Sequence, residues 1–358
     1  MENAAALWTR ARSNPLLSAG AVAAGAWVLW IVLFPTNPWS KHVSNVGLTV
    51  MPLVAAAQCL RHARELVGRL RRGWLLMGGS CLAWGLGMVV WTTYESILGR
   101  DVPFPSLADA GYLATVPLAV AAVLIFPTVP QRLAAQARTV VDGVVIGGSL
   151  LIVSWILALG PVVHGGGAGP LADALAIAYP LGDVIVATIV LFAMARSHLG
   201  SPLSRITLLL LCGGLLSACV ADSGFSYLAL QNDYASGNRI DIGWFLGYLL
   251  IFLAARQAPR LAAAWREPPL TRQSGSIVYA AVGLAVGTTA AALLLGRVDM
   301  FVAWVGLFLI AAIVARHVLL ALDRDALGKS MEAWVPVRKD DLEDWIPLVS
   351  PGAGPRRN

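Results

Sequence analysis

A chain of 358 residues with 58% apolar and only 13% charged residues, and a mean hydropathy of +0.71, lies outside the range of a soluble domain of that length. Its formal charge of +6 is spread over short loops and not gathered on one face, which argues against a nucleic-acid-binding surface. The four cysteines, Cys59, Cys81, Cys212 and Cys219, all fall in apolar runs, so buried, unreactive thiols are expected and no extracellular disulfide framework is.

Apolar runs of about 20 residues, the length a helix needs to cross roughly 30 Å of hydrocarbon, predict an all-α polytopic membrane helix bundle. Ten transmembrane helices are expected, near 15–34, 43–60, 73–97, 107–127, 139–163, 173–195, 205–228, 240–256, 276–296 and 299–319, separated by Gly, Pro, Arg or Asp clusters. The first run follows Arg10 and Arg12 as a signal peptide would. It is too long for such a segment and lacks a small-x-small cleavage site before Pro35, so it reads as an uncleaved anchor. The expected organisation is a cytosolic N-terminus (1–14), a ten-helix transmembrane domain (15–319) and a short cytosolic helix with a disordered tail (320–358).

Cytoplasmic flanks retain Lys and Arg during insertion. With both termini inside, 22 of the 26 basic residues fall on the inner side, leaving only Lys41, Arg100, Arg239 and Arg297 outside. That split predicts an N-in/C-in topology. The outer loops are about a dozen residues or fewer, too short for a folded receptor domain, so any ligand is met at the membrane face or within the bundle.

A weak internal repeat runs through the middle. Leu107-Ala108-Asp109 opens the fourth span, Leu171-Ala172-Asp173 the sixth, and Asp241 the eighth, with Tyr112 and Pro117, Tyr179 and Pro180, and Trp244 and Tyr248 following. The spacing predicts parallel two-helix repeats, unlike the inverted repeats of many transporters. Asp109, Asp173 and Asp241 sit in first helical turns, where a carboxylate meets free N–H groups and the positive dipole end; Ser106 and Asn238 lie three residues before two of them. Helix capping is therefore expected of all five.

Other carboxyls have no such explanation. Asp183, ten residues into its helix from Asp173, lies about 15 Å deeper, where an ionisable group is costly and marks function by default. With no Lys or Arg at matching depth, it is expected to be protonated, hydrogen-bonded or facing a wet cavity. Glu95 and Asp222 start no helix. With Trp91, Tyr94, Tyr179, Tyr227 and Trp244, alongside Tyr112 and Tyr248, they are candidates for an acidic, aromatic outer pocket suited to a cation or amphipathic ligand. The competing reading is that Trp and Tyr anchor the membrane interface. The histidines, His42, His62, His164, His198 and His317, fall in loops or at span ends, so no haem or metal site and no cofactor is expected. Gly143-xxx-Gly147, Gly243-xxx-Gly247 and Gly283-xxx-Gly287 permit close helix approach, expected within the chain.

The stretch Trp84, Trp91, Tyr94-Glu95, Gly99, Pro103-Phe104-Pro105-Ser106, Leu107-Ala108-Asp109, Tyr112-Leu113 and Pro117-Leu118 resembles the N-terminal membrane region of bacterial GGDEF and GGDEF-EAL signalling proteins, especially actinobacterial ones. Asp142-Gly143, the segment from Asp222 through Tyr227, Tyr234, Gly237, Asp241, Gly243-Trp244 and Gly247-Tyr248, and the exit Ala315-Arg316-His317 to Asp325 and Leu327 are similar to the same family. The resemblance covers roughly 15–327 and implies a membrane sensor coupled to cyclic-di-GMP turnover. No Gly-Gly-Asp/Glu-Glu-Phe or Glu-Ala-Leu signature, P-loop or kinase motif is present in the sequence. The residues after Leu320 hold a short helical pattern (Leu320, Leu327, Trp334), an acidic patch (Asp340, Asp341, Glu343, Asp344) and a Pro/Gly/Arg end.

The expectation is a non-enzymatic sensor-like protein of the bacterial plasma membrane, relaying state through its last spans to the helix after Arg316. Its partners would be the lipid bilayer and a cytosolic or membrane signalling protein, with a homodimer left open. The alternatives are a small-solute or proton-coupled transporter with Asp183 as the coupling group, and a structural or assembly subunit.

Overall fold

The computed structural model describes residues 15–35, 37–126, 133–165, 169–196, 205–231, 233–258, 276–296 and 298–332. The expected cytosolic N-terminus, the acidic patch and the Pro/Gly/Arg end lie outside these residues, as does His198. Among the described residues the chain is helical throughout, without a strand. The helices are α1 (Pro15–Leu33), α2 (Ser40–Arg64), α3 (Gly68–Thr92), α4 (Leu107–Ile125), α5 (Leu133–Ser154), α6 (Gly160–Gly165), α7 (Pro170–Arg196), α8 (Arg205–Leu230), α9 (Asp241–Gln257), α10 (Ser276–Leu294) and α11 (Met300–Glu332). Five-residue π-helical turns follow α3 (Thr93–Ile97) and α5 (Trp155–Leu159), the second leading directly into α6.

A helix lies at each of the ten apolar runs, and eight, counted among the described residues, are long and apolar enough to cross a membrane. The two that fall short are α1, whose apolar stretch is Ser18–Leu33, and the 17-residue α9. Several helices outrun their hydrophobic segments. Helix α2 continues to Arg64, with Arg61, His62 and Arg64 in its last turn, where positive side chains complement the carbonyl end of the dipole. Hydropathy registers the hydrocarbon-facing stretch, whereas backbone hydrogen bonding carries the helix into the polar interface. Helix α11 is the extreme case. Its 33 residues run unbroken from Met300 to Glu332, about 50 Å at 1.5 Å per residue, and its apolar part is Met300–Leu322.

Six helices close a ring: α2 packs on α3, α3 on α4, α4 on α7, α7 on α8, α8 on α9, and α9 back on α2. The order of contacts gives their sense. Ser80 bonds the Thr115 carbonyl while Gly73 faces Phe126, so α3 and α4 are antiparallel; Ser217 bonds the Gly243 carbonyl while Gly214 faces Gly247, and α8 and α9 are antiparallel too. Two joins are parallel. Asp109 meets Tyr179 and Val116 meets Gly182 between α4 and α7, while Ser40 meets Gly237 and Ser44 meets Asp241 between α2 and α9.

Two up-down-up trios, α2–α3–α4 and α7–α8–α9, therefore make up the ring. Helices that open with aspartate do share one direction, as the 64-residue spacing implied. A lateral register of three cannot be read from helix starts, because it depends on which faces pack.

Outside the ring, α5 packs on α7 and carries α10 and α11. Helix α1 leans on α2, where the Trp27 indole donates to the Val43 carbonyl at 2.8 Å and stacks on Phe245 at 4.2 Å.

Lipid tails are as apolar as leucine, so helices in a bilayer associate through close packing and interhelical hydrogen bonds. The α3–α4 contact is the tightest use of this. A Cβ at Gly111 would lie 2.6 Å from the Ala83 carbonyl oxygen and 2.9 Å from the Gly87 nitrogen, both backbone atoms that cannot yield. Gly111→Ala is expected to destabilise the bundle by about 3 kcal/mol, the upper part of the overpacking range. Gly25→Ala, whose Cβ meets nothing within 4 Å, is the control in a reversible SDS-unfolding titration.

The glycine pairs divide. Gly143 and Gly147 face Phe192 and Thr188 of α7, and Gly243 and Gly247 face α8, as expected; Gly283 and Gly287 of α10 face nothing within 4 Å among the described residues. All four cysteines are free and buried. His62, expected at a span end, is buried in α2 with its ring edge-on to Trp74 at 5.3 Å.

Candidate functional site

The ring is lined with acid and aromatic groups at the end where α4 and α9 begin and α3 and α8 finish. Ser106 caps α4: its hydroxyl accepts the Ala108 N–H, and Asp109 reaches back to the Ser106 N–H at 2.6 Å, a capping box. Asp109 does more than cap. Its second oxygen accepts the Tyr179 hydroxyl of α7 at 2.5 Å.

Asp241 is fully buried and plays the matching part in the other trio. It accepts the Gly237 N–H (2.8 Å), the Tyr234 hydroxyl (3.0 Å) and the Ser44 hydroxyl of α2 (2.5 Å). The first-turn aspartate of each third helix thus bonds the first helix of the other trio. Asn238 accepts the Ile240 N–H from outside the helix, an Asx turn in place of the expected cap. Asp173 lies in the first turn of α7, its N–H bonded to the Gly169 carbonyl.

Glu95 sits on the π turn that ends α3, a distortion that recurs at functional sites because it turns side chains out of helical register. Its Oε2 accepts the Asn45 amide (2.7 Å) and the Trp91 indole (3.0 Å), and Trp91 also reaches the Ser236 hydroxyl at 3.4 Å. Asp222 of α8 accepts the Trp244 indole at 2.9 Å. Asp183 of α7 lies close enough to Asp222 and Cys219 to act on both electrostatically. Its Oδ2 is buried without a hydrogen-bond partner among the described residues.

The aromatic groups join these acids. Trp84 contacts Tyr248 (4.8 Å), Tyr112 (5.5 Å) and Trp244 (6.3 Å), and Trp244 continues to Phe225 and Tyr234. Asp109, Asp222 and Glu95 all lie close enough to act electrostatically on the Tyr112 hydroxyl. No described Lys or Arg forms an ion pair with Glu95, Asp109, Asp183, Asp222 or Asp241. The arrangement is an acidic interior walled by rings, which is chemically suited to a proton or a cation and unsuited to an anion. The described residues hold no group of three or more His, Cys, Asp or Glu able to bind a metal ion.

Of the residues picked from the sequence, Glu95, Asp183, Asp222, Trp91, Tyr179 and Trp244 gather here. Two do not join the ring contacts. Tyr94 shares the π turn with Glu95 but takes no part in the aromatic cluster, and Tyr227, 44% exposed, lines a separate cavity beside Trp155. At α-helical pitch Tyr227 falls five residues from Asp222, well off its face.

Sequence reasoning missed Ser44, Asn45 and Ser236, whose signal was faint: a Ser-Asn pair inside an apolar run. It counted Arg316 among the basic residues of the inner side, with no partner foreseen. Arg316 is instead buried, its Nε donating to Asp142 at 2.6 Å, its Nη1 donating to the Tyr279 hydroxyl at 3.0 Å, and its guanidinium 5.0 Å from the Tyr279 ring centre.

Taken together, fold and site define a helical, apolar membrane bundle with an acidic, aromatic interior. Comparison with known proteins adds no family: no protein-family model matches the chain, and no curated protein or solved structure matches it.

Proposed function

We propose that the chain is a non-enzymatic sensor-like protein spanning the bacterial plasma membrane ten times with both termini inside, related to the membrane input region of cyclic-di-GMP signalling proteins. The acid and aromatic interior responds to a proton or cation, and the response passes to α11. One observation carries this reading, an unbroken packing path. Asp183 lies on α7; α7 packs on Gly143 and Gly147 of α5; Asp142 of α5 holds Arg316; and α11 continues as one helix to Glu332. The basic-residue split supports the orientation, and the motif resemblance supports the signalling context.

The relay is tested with spin labels at Leu327 and at Glu65, at the far end of α2, in the intact protein in nanodiscs. Asp222→Asn or Asp183→Asn is expected to shift the inter-label distance by about 2 Å or more, the scale of helix shifts in switching proteins. Unchanged distances in both variants and in Glu95→Gln would end the relay reading.

The buried Asp183 Oδ2, which has no hydrogen-bond partner among the described residues, favours a second reading, a proton-coupled transporter, since acids within spans serve as proton relays. Saturable proton-driven uptake of a small solute in proteoliposomes, abolished by Asp183→Asn, would select it over the sensor.

A further inference from the structure

A second site lies apart from the acid cluster, where the π turn Trp155–Leu159 meets the link between α10 and α11. It holds a cavity of about 610 Å3, within the range of small-molecule pockets. Leu157 and Ala291 are among its apolar walls, and its polar or aromatic groups include Trp155, His164, Tyr227 and Asp299. We propose that this cavity binds an amphipathic organic cation, an ammonium head with a short apolar tail.

Charge sets the sign of the ligand. Asp299 presents a carboxylate at the wall. It uses one oxygen for the Val302 N–H (3.1 Å) and the other for the Trp155 indole (2.8 Å), two of about four acceptor positions, so it retains capacity for a cation. Partial burial works against its charge, but those two bonds, the nearby His164 and the Phe301 N–H outweigh it and hold the carboxyl below its usual range. It is therefore ionised throughout the neutral range. The stability its charge lends to α11 is present above the unfolded carboxylate pKa of about 3.9 and is lost only as the pH falls through the lower folded value.

Geometry fixes the aromatic wall. Trp155 stacks on Phe301 at 3.8 Å, with His164 edge-on at 6.0 Å. The His164 Nδ1 donates to the Gly160 carbonyl at 2.7 Å, which orients that ring. A Cβ at Gly160 would lie 2.6 Å from the Trp155 carbonyl oxygen and 3.2 Å from its indole nitrogen, so a larger residue there would displace the ring. Carboxylate, ring faces and an apolar floor are the elements that recognise a substituted ammonium, and a free acyl tail would have no use for the first two.

The test uses the intact protein in nanodiscs, with empty nanodiscs correcting for partition into lipid. Hexyltrimethylammonium is titrated by calorimetry, against hexanol and hexyl sulfate as uncharged and anionic probes. Saturable 1:1 binding of the cation alone is expected, weakened about tenfold or more by Asp299→Asn. Because Asp299 also caps α11, Ala291→Phe supplies a second variant: it fills the cavity from an exposed wall position and is expected to abolish binding with unchanged thermal unfolding. Failure of the wild type to bind would overturn the proposal, as would unaltered affinity in Ala291→Phe. Equal binding of hexanol would also overturn it and mark the cavity as a crevice for lipid tails. The spin-label distances in the acid-cluster variants read the relay separately, so their failure to change removes the relay and leaves this site standing.

Discussion

Arg316→Met is expected to destabilise the bundle by about 3–5 kcal/mol, because removing one partner of a buried pair strands the other charge. Arg316 is 5% exposed, and the side chain of Asp142 only 12%. The substitution also removes the hydrogen bond to Tyr279 and the contact with its ring. Asp142→Leu alone strands the guanidinium and is expected to cost a similar amount. The double variant is expected to recover most of the loss, since two well-packed apolar side chains replace a buried ion pair at little net cost. An SDS-unfolding titration of the four proteins measures the coupling directly. Additive single effects would mean that the pair does not hold α11 to α5.

Asp241→Ala is expected to cost more than about 3 kcal/mol. It leaves the Ser44 hydroxyl, the Tyr234 hydroxyl and the Gly237 N–H without their acceptor, each worth about 1–3 kcal/mol when buried and unsatisfied. It also opens the parallel join between α2 and α9, one of the two places where the trios meet. Asp241→Asn keeps one acceptor oxygen and is expected to lose less. Asp109→Ala is the internal comparison. It disturbs the other join, where Tyr179 is its only hydrogen-bond partner on a neighbouring helix among the described residues. If Asp241→Ala unfolds at the wild-type SDS fraction, the polar hub does not secure the ring.

The linear pattern of the chain carried much of this architecture. Apolar runs located every long helix, because a bilayer demands about 20 apolar residues per crossing and satisfied backbone hydrogen bonds within each segment. Ser106 and Asp109 were legible as a cap because capping is local, closed within three residues. Asp183 and Asp222 drew notice for a similarly simple reason: a carboxyl within an apolar run has few bland explanations.

Other features had no local signature. Arg316 stood seventeen residues into a helix beside His317, a pattern indistinguishable from an interfacial charge, and only the approach of α5 turned it into a buried pair. Tyr227 looked equivalent to Tyr179 in composition and depth, yet faces a different cavity. Glu95 gained its partners from a π turn, which follows from packing of the α3 end and not from propensity.

The sequence by itself determined that the chain is a helical membrane bundle, where its helices lie, and that carboxyls sit within them, because hydrophobic length and local capping are properties of contiguous residues. Only the tertiary structure decided that six helices close a ring of two trios, that Asp183 meets Asp222, and that Arg316 locks α11 to α5. Those outcomes depend on which helix faces meet, and a contact between groups 197 residues apart leaves no mark on the spacing of either.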